Sequence, residues 1–445
     1  MAGKPQPRGL SAVFASLAIR PFRWVWLAAL SGNSGRFAVI LVAGWEAYRL
    51  GGHSSLWPSL VMMLLLVPSM VFGLVAGSFA DRLNRARMAA TGQLVSAFSC
   101  AVAAILTITG GLDLERLLAL TALVGIGNSV QGPAWQAMIP DLVGPERLLN
   151  ASMMTRIAQQ GAELTGPALG TVVLAEYGPG PAFFCCAGFY VAALAMLMRI
   201  RHSVLTPVQL VKRPGLLAPV ADGLRYVTTA APIGTLLVWV GLHCSLTMAS
   251  IGILPAVATA NLHGDAGAYG LLLTSFGLGS VLGPLAMMWL GRRVQVVPLL
   301  IVSGIASGLP LITLGLVQRM GVDLVSSGIA GAGQAVFMAG IYSANQGVAI
   351  DAMRGRVASV QLSLTTGAMG ITSIGWGVLA GMLAPGIVLA IPGFAFLIAC
   401  IPFSLRHRRI SAPLRRAMSS PAAAPRFPVA TPEPAFRSAP DRRQA

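Results

Sequence analysis

Twelve apolar runs of about twenty residues divide this chain of 445 residues, and they limit its fold more than any other feature. A helix rises ~1.5 Å per residue, so about 20 apolar residues cross the ~30 Å hydrocarbon core of a bilayer. We therefore predict an all-α integral membrane fold, with twelve transmembrane helices in two pseudo-symmetric six-helix bundles. The predicted spans are 22–48, 56–79, 88–109, 117–139, 150–175, 181–199, 233–260, 267–290, 296–317, 323–348, 358–383 and 386–404.

The basic residues follow this topology. The net charge of +17 would suggest a nucleic-acid partner in a soluble protein, but only 10% of the residues are charged. An even number of spans puts both termini on one side, and 26 of the 31 Lys and Arg residues then fall on that side. Lys and Arg are retained on the cytoplasmic side of a membrane. The sequence thus predicts a multi-pass protein of the cytoplasmic (inner) membrane with both termini cytoplasmic and no nucleic-acid partner.

The longest internal polar stretch divides the chain into two halves. We predict an N-terminal six-helix bundle over 1–200, a cytoplasmic linker over 201–232 and a C-terminal six-helix bundle over 233–405. Within the linker, 220–227 is amphipathic and could lie along the membrane surface. The segment 406–445 is rich in Pro, Ala and Arg, which predicts a disordered basic cytoplasmic tail. The halves look like copies, since 133–141 resembles 343–351, and transporters with parallel repeats bind substrate where the repeats meet.

Sequence motifs of common enzymes and metal sites are absent. There is no His-Glu-x-x-His, no Gly-x-Ser-x-Gly and no phosphate-binding Gly-x-x-x-x-Gly-Lys. The five cysteines lie in apolar runs without metal-ligand spacing, so we expect small buried side chains, no metal and no cofactor. Gly277, Gly279 and Gly283 lie within an apolar run, where small residues let helices approach closely.

A charged turn separates the second and third apolar runs. It follows Gly77 and sets the carboxylate of Asp81 among Arg82, Arg85 and Arg87. One interpretation is a charged hairpin that holds two helices in register with the membrane. The other is that the turn does more than stop the helices, since its pattern is more specific than a stop signal requires.

Span 150–175 carries the deepest acidic residue. Glu163 lies 13 residues beyond Asn150, about 20 Å into the membrane, where ionisable groups usually face a water-filled cavity or a partner. We predict that Glu163 couples transport to protons; a static polar cluster that locks helices together is the alternative. The same stripe carries three more polar residues, Arg156, Gln159 and Gln160.

The same span contains Gly166, Pro167 and Gly170. A proline inside a helix removes a backbone donor and bends the helix. We therefore predict a weak point at which a gate flexes.

Span 22–48 carries the second deep charge. Arg36 lies about 21 Å from the start of the span and requires a cavity or an anion. The anion would be a substrate carboxylate or catecholate, or equally the side chain of Glu163. Asn33 lies nearby, and Glu46, near the outer end, is a second candidate for proton coupling. Six further polar residues are predicted to face a substrate cavity: Asn128, Gln131, His243, Gln334, Asn345 and Gln346.

From residue 20 to residue 406 the chain resembles the major facilitator superfamily, and within it the branch of siderophore and drug exporters. The turn 77–87 is specific to the superfamily, 132–143 matches the branch, and 166–170 is similar to a motif of antiporters. The resemblance implies that Asp81 pins a closed cytoplasmic gate against the helix start at 358–359. The chain departs from its relatives at Arg36, where they often have Thr or Asp, and at Trp135, where they often have Arg.

The expected function is secondary active transport, as proton-coupled export of a small amphiphilic molecule, a siderophore or drug-like compound. The expected partners are the substrate, protons and the lipid bilayer, and the expected state is a monomer. Two alternatives remain open at this stage: an importer or uncoupled facilitator of the same fold, or a non-transporting membrane sensor or scaffold.

Overall fold

Fourteen α-helices make up nearly all of the described part of the chain. The computed structural model describes residues 15–80, 85–144, 147–200, 218–260, 262–290, 295–350 and 353–405. The first six helices are α1 (Arg20–Leu50), α2 (Leu56–Ala80), α3 (Arg85–Ile108), α4 (Leu114–Val143), α5 (Leu148–Tyr177) and α6 (Pro179–Met198). The others are α7 (Ala218–Thr229), α8 (Ala231–His243), α9 (Leu254–Ala260), α10 (Ala266–Leu290), α11 (Val296–Leu316), α12 (Met320–Val348), α13 (Arg354–Leu379) and α14 (Pro385–Leu405).

Each of the twelve predicted spans coincides with a helical segment, and α8 and α9 together form the seventh. Among the described residues, nine segments are long and apolar enough to cross a membrane, and Leu56–Val71 is a shorter apolar helix. The predicted all-α membrane fold is confirmed. The tight turn from α5 to α6 passes through Gly178, whose φ of 82° lies in the left-handed region that glycine adopts at little cost.

The seventh segment is not a regular helix. A π-helical turn, Cys244–Met248, and a 3-10 turn, Ala249–Ile253, separate α8 from α9. Here the hydroxyl of Thr247 donates to the carbonyl of His243 at 2.8 Å, and that of Ser250 donates to the carbonyl of Thr247 at 2.8 Å. Such back-bonding loosens the regular backbone ladder and bends helices.

The two halves repeat the same helix contacts. In the N-terminal bundle (α1–α6), α3 packs against α4 and α6, and α2 packs against α4. In the C-terminal bundle (α8–α14), α11 packs against α12 and α14, and α10 packs against α12. Between the bundles, α2 packs on α13 and α5 packs on α10. The contacts agree with the predicted pseudo-symmetric architecture and put α5, with Glu163, at the interface.

The apolar core differs between the two ends of the molecule. At the end that carries residues 49–56, here called the predicted outer end, one continuous core joins the bundles, from Leu41 and Leu65 in one to Val257 and Leu272 in the other. At the opposite end, the predicted cytoplasmic end, the described residues form two separate cores, one around Trp135 and one around Phe337. The bundles are therefore joined most tightly at the predicted outer end.

The linker helix α7 packs on the C-terminal bundle. Tyr226 and Val227 are buried in the core of that bundle, and Asp222 accepts a hydrogen bond from Arg356 at 3.4 Å. The opposite face is exposed and includes Leu224 and Arg225. One face of the predicted amphipathic segment thus contacts protein. The predicted tail 406–445 lies outside the described residues.

Candidate functional site

The structure brings Glu163 and Arg36 together where the two bundles meet. Both side chains are half-buried, and they interact electrostatically. Among the described residues, no ion pair within 4.0 Å joins them, and Glu163 Oε2 and Arg36 Nε are buried without a hydrogen-bond partner. The hydroxyl of Ser280, on α10, lies beside the carboxylate. A half-buried carboxylate and guanidinium that interact electrostatically without an ion pair can each bind another partner.

A buried polar network extends from this pair into the N-terminal bundle. Gln93 on α3 donates to Gln131 on α4, and Gln131 donates to Asn128. Asn128 donates to the hydroxyl of Tyr190 on α6 at 3.3 Å, and Tyr190 interacts electrostatically with Arg36. The network connects three helices, α3, α4 and α6, to the surroundings of the guanidinium on α1.

The polar stripe of α5 contacts the C-terminal bundle, but not as one cluster. Gln160 donates to the backbone carbonyl of Ser280 at 3.3 Å. Arg156 is exposed, donates to Gln159 at 3.1 Å, and lies 4.2 Å from the ring centroid of Tyr342 on α12. The stripe therefore contacts α10 and α12.

Glycines bring the helix backbones into contact around Glu163. A Cβ atom at Gly277 on α10 would lie 2.2 Å from the backbone oxygen of Glu163. A Cβ atom at Gly166 would lie 2.3 Å from the backbone oxygen of Ser34 on α1, and Gly170 contacts Leu41. The predicted close approach at Gly277 is confirmed. Pro167 lies inside α5, and its role as a weak point stays a prediction.

Gly277→Ala should impair the transport that the sequence predicts while leaving the fold intact. The new methyl group meets backbone atoms of α5, so the two bundles have to separate, and overpacking of this kind costs about 1–3 kcal/mol. Gly279→Ala is the matched control. Its methyl group would lie 1.8 Å from the backbone oxygen of Gly328 on α12, within one bundle, so it should lower the melting temperature. Transport and thermal unfolding of both variants check this. We expect Gly277→Ala to lose more transport than Gly279→Ala at a similar loss of stability, and the same loss of transport in the two would contradict it.

The charged turn is described only in part. Asp81 and Arg82 lie outside the described residues. Gly77 belongs to the last turns of α2, and Arg87 is exposed at the start of α3. Arg85 forms an ion pair with Asp141 on α4 at 2.6 Å. The role of this turn as a gate stays a prediction.

The candidate residues of the C-terminal bundle have their hydrogen-bond partners within that bundle. His243 is fully buried between Phe337 and Phe396, and its Nε2 lies 2.9 Å from the hydroxyl of Ser307. Gln334 lines a small cavity inside the bundle. Asn345 donates to Gln361 at 2.9 Å, and the amide of Gln346 donates to the backbone oxygen of Arg354 at 3.4 Å.

The remaining candidates on α1 have partners on their own helix. Glu46 is 1% exposed and accepts two hydrogen bonds from Arg49, at 2.5 and 3.0 Å. Asn33 donates to the backbone oxygen of Ala29 at 2.7 Å. Among the described residues, no group of three or more His, Cys, Asp or Glu side chains could hold a metal ion.

Sequence reasoning missed Gln93, Tyr190 and Ser280. Gln93 and Tyr190 are single polar groups within long apolar runs, and Ser280 is one of many serines. The available signal was depth, because Gln93 lies 8 residues and about 12 Å into α3, beyond the interface.

A family model described as transmembrane secretion effector matches residues 11–430. The chain belongs to this family. Its members are transporters of the major facilitator superfamily, as the resemblance implied. The multidrug efflux pump Tap of Mycolicibacterium fortuitum is 26% identical over 381 residues, covering 82% of this chain and 89% of that relative. The enterobactin exporter EntS of Citrobacter koseri is 27% identical over 355 residues, covering 78% and 82%.

Solved structures show the same fold for this transporter. A POT family transporter in complex with 5-aminolevulinic acid matches with a TM-score of 0.71 at 13% identity, covering 92% of this chain and 99% of that chain. A bacterial homologue of the human lysosomal transporter Spinster matches with a TM-score of 0.64 at 14% identity, covering 91% and 98%.

Proposed function

We propose that this transporter exports a small amphiphilic molecule from the cytoplasm in exchange for protons, by alternating access. The observation that carries the proposal is Glu163, a carboxylate between the two bundles with one oxygen buried and unpartnered. A coupling carboxylate has to take up a proton from one side and release it to the other. The interface of two bundles that move against each other is where such a change of access occurs.

Arg36 supplies the competitor for that proton. When Glu163 loses its proton, the Arg36 guanidinium stabilises the negative charge of the carboxylate. When an anionic substrate binds to Arg36, that stabilisation is lost and the protonated form of Glu163 is favoured. The binding of substrate and the binding of the proton then affect each other through the interaction between Arg36 and Glu163. Glu46 is the less suited candidate, because Arg49 already neutralises it within its own helix.

Two arginine side chains that lie beside aromatic rings support a proposal for the substrate class. The Arg36 guanidinium lies 4.9 Å from the ring centroid of Phe37, and Arg156 lies over Tyr342. Cations backed by aromatic rings suit a planar anionic or catecholate group with apolar substituents. The names of the relatives, a multidrug efflux pump and an enterobactin exporter, agree with a siderophore or drug-like compound. We further propose that the protein is a monomer with both termini cytoplasmic.

The test uses the purified protein in liposomes with an acidic interior and an internal pH dye. We expect a catecholate siderophore or a lipophilic drug to accumulate inside while the interior becomes alkaline, and a protonophore to abolish accumulation. Liposomes without protein are the control. Accumulation that needs the opposite gradient would indicate an importer, and accumulation indifferent to the gradient would indicate a facilitator; either result contradicts the proposal.

A further inference from the structure

The C-terminal bundle buries an acidic side chain with no visible partner. Asp323, in the first turn of α12, is 0% exposed, and neither carboxylate oxygen has a hydrogen-bond partner among the described residues. From its position near the start of a span, Asp323 is expected to be exposed at the outer surface. The structure shows that this expectation is wrong, because the side chain is buried. The backbone N–H of Arg319 lies near the carboxylate but does not meet hydrogen-bond geometry. A buried carboxylate without a counter-charge is strongly disfavoured.

The helices around Asp323 do not supply a positive charge. α10 and α11, which pack against α12, contain no Asp, Glu, Lys, Arg or His in their sequences. Arg319 and Asp265 lie at the same end and are exposed, and Tyr269 of α10 directs its hydroxyl toward α1. His243 of α8 is engaged with Ser307. The charge therefore has to be balanced by a cation from solution.

A small cavity, mostly apolar but with five polar residues in its lining, begins one helical turn away. Ser327 lies four residues after Asp323, on the same face of α12 and about 6 Å along its axis. The cavity is lined by Ser327 together with Thr247, Ser250, Ser307 and Gln334. Gln334 is 5% exposed, and its Oε1 is buried without a partner. The buried atoms without partners at the two ends of this face of α12, the Asp323 carboxylate oxygens and Gln334 Oε1, are hydrogen-bond acceptors. A ligand that binds them is therefore a cation or a hydrogen-bond donor.

We propose that the C-terminal bundle contains a binding site for one monovalent cation, with the Asp323 carboxylate as its anionic ligand and Ser327 as a neutral one. A single carboxylate balances a single positive charge, and carboxylate and hydroxyl oxygens suit a hard cation. A sodium ion and a proton share this chemistry, and both are available at the predicted outer end. The site is separate from Glu163 and does not depend on the direction of transport.

The test follows thermal unfolding of the purified full chain in detergent at constant ionic strength. Choline chloride is replaced by sodium chloride at pH 8, and the pH is then lowered to 5 without sodium. Because a ligand stabilises the state that binds it, we expect sodium ions or protons to raise the melting temperature by about 2–4 °C. A response to sodium at fixed pH identifies the ion; a response to pH alone identifies the proton.

Asp323→Asn keeps the shape and removes the charge, and it should abolish the response. Glu176→Gln changes an exposed carboxylate at the predicted outer end and should retain it. Ser327→Ala retains the carboxylate and should raise the half-saturating cation concentration at least threefold, which keeps the test available if Asp323→Asn does not fold. The proposal would be overturned if wild type and Asp323→Asn responded equally. If Asp323→Asn does not fold, equal responses of wild type and Ser327→Ala would overturn it.

Discussion

Glu163→Gln should reduce pH-gradient-driven efflux at least tenfold while the protein still folds and binds substrate. The substitution keeps the size and hydrogen-bonding capacity of the side chain but removes the proton it can carry. Arg36 then faces a permanently neutral partner in every conformation, so a proton gradient no longer biases the two access states. Proteoliposome efflux under an imposed gradient measures the loss, and substrate exchange without a gradient measures what remains.

The exchange assay separates coupling from structure. A static polar cluster predicts that Glu163→Gln lowers exchange, efflux and melting temperature together. Coupling predicts that exchange and melting temperature are retained and only gradient-driven efflux is lost. Glu176→Gln, on the same helix but exposed, is the matched control and should leave all three unchanged. Wild-type efflux by Glu163→Gln would remove this residue from the mechanism.

A disulfide between the bundles at the predicted outer end should stop transport. Ala175 on α5 and the Gly267 position on α10 face each other across the interface, and a Cβ atom at Gly267 would lie 3.7 Å from that of Ala175. Disulfides prefer a Cβ–Cβ distance of about 3.8 Å, so Ala175→Cys and Gly267→Cys should cross-link without distortion. We expect efflux to fall at least tenfold on oxidation and to recover on reduction.

The cross-link is made in a variant in which the five native cysteines are replaced by serine or alanine. Each single cysteine variant serves as a control and should transport equally under oxidising and reducing conditions. Substrate binding to the cross-linked protein should persist, because the predicted cytoplasmic end is left free. Transport at an unchanged rate by fully cross-linked protein would mean that this interface does not open.

The helical spans could be predicted with ends displaced by up to four residues, as for 358–383 against Arg354–Leu379, because hydrophobic length is a local property of a sequence. Two spans are closer. The span predicted at 296–317 is Val296–Leu316, and that predicted at 386–404 is Pro385–Leu405. The break within the seventh segment could not be predicted, since it depends on how Thr247 and Ser250 bond to their own backbone.

The sequence predicts how far along its helix each candidate residue lies, but not which neighbouring helix its side chain faces. Helix rise alone puts Glu163 and Arg36 near mid-membrane. Which face each helix turns inward depends on its neighbours, and this is why Arg156, expected near Glu163, lies instead over Tyr342. Gln334 and His243 are deep as well, but they lie within the C-terminal bundle. Depth identified the ionisable residues, and packing assigned them to different places.

The continuous apolar core at the predicted outer end has a thermal consequence. The proposed alternating access requires this core to separate, so each cycle would transfer buried aliphatic surface to water. Exposure of apolar surface raises the heat capacity by about 0.45 cal/mol/K for each Å². The activation enthalpy of the opening step therefore changes with temperature, and an Arrhenius plot of turnover should be curved, as it is for protein folding. The turnover rate should therefore depend on the hydration of the apolar side chains that join the two bundles at the predicted outer end.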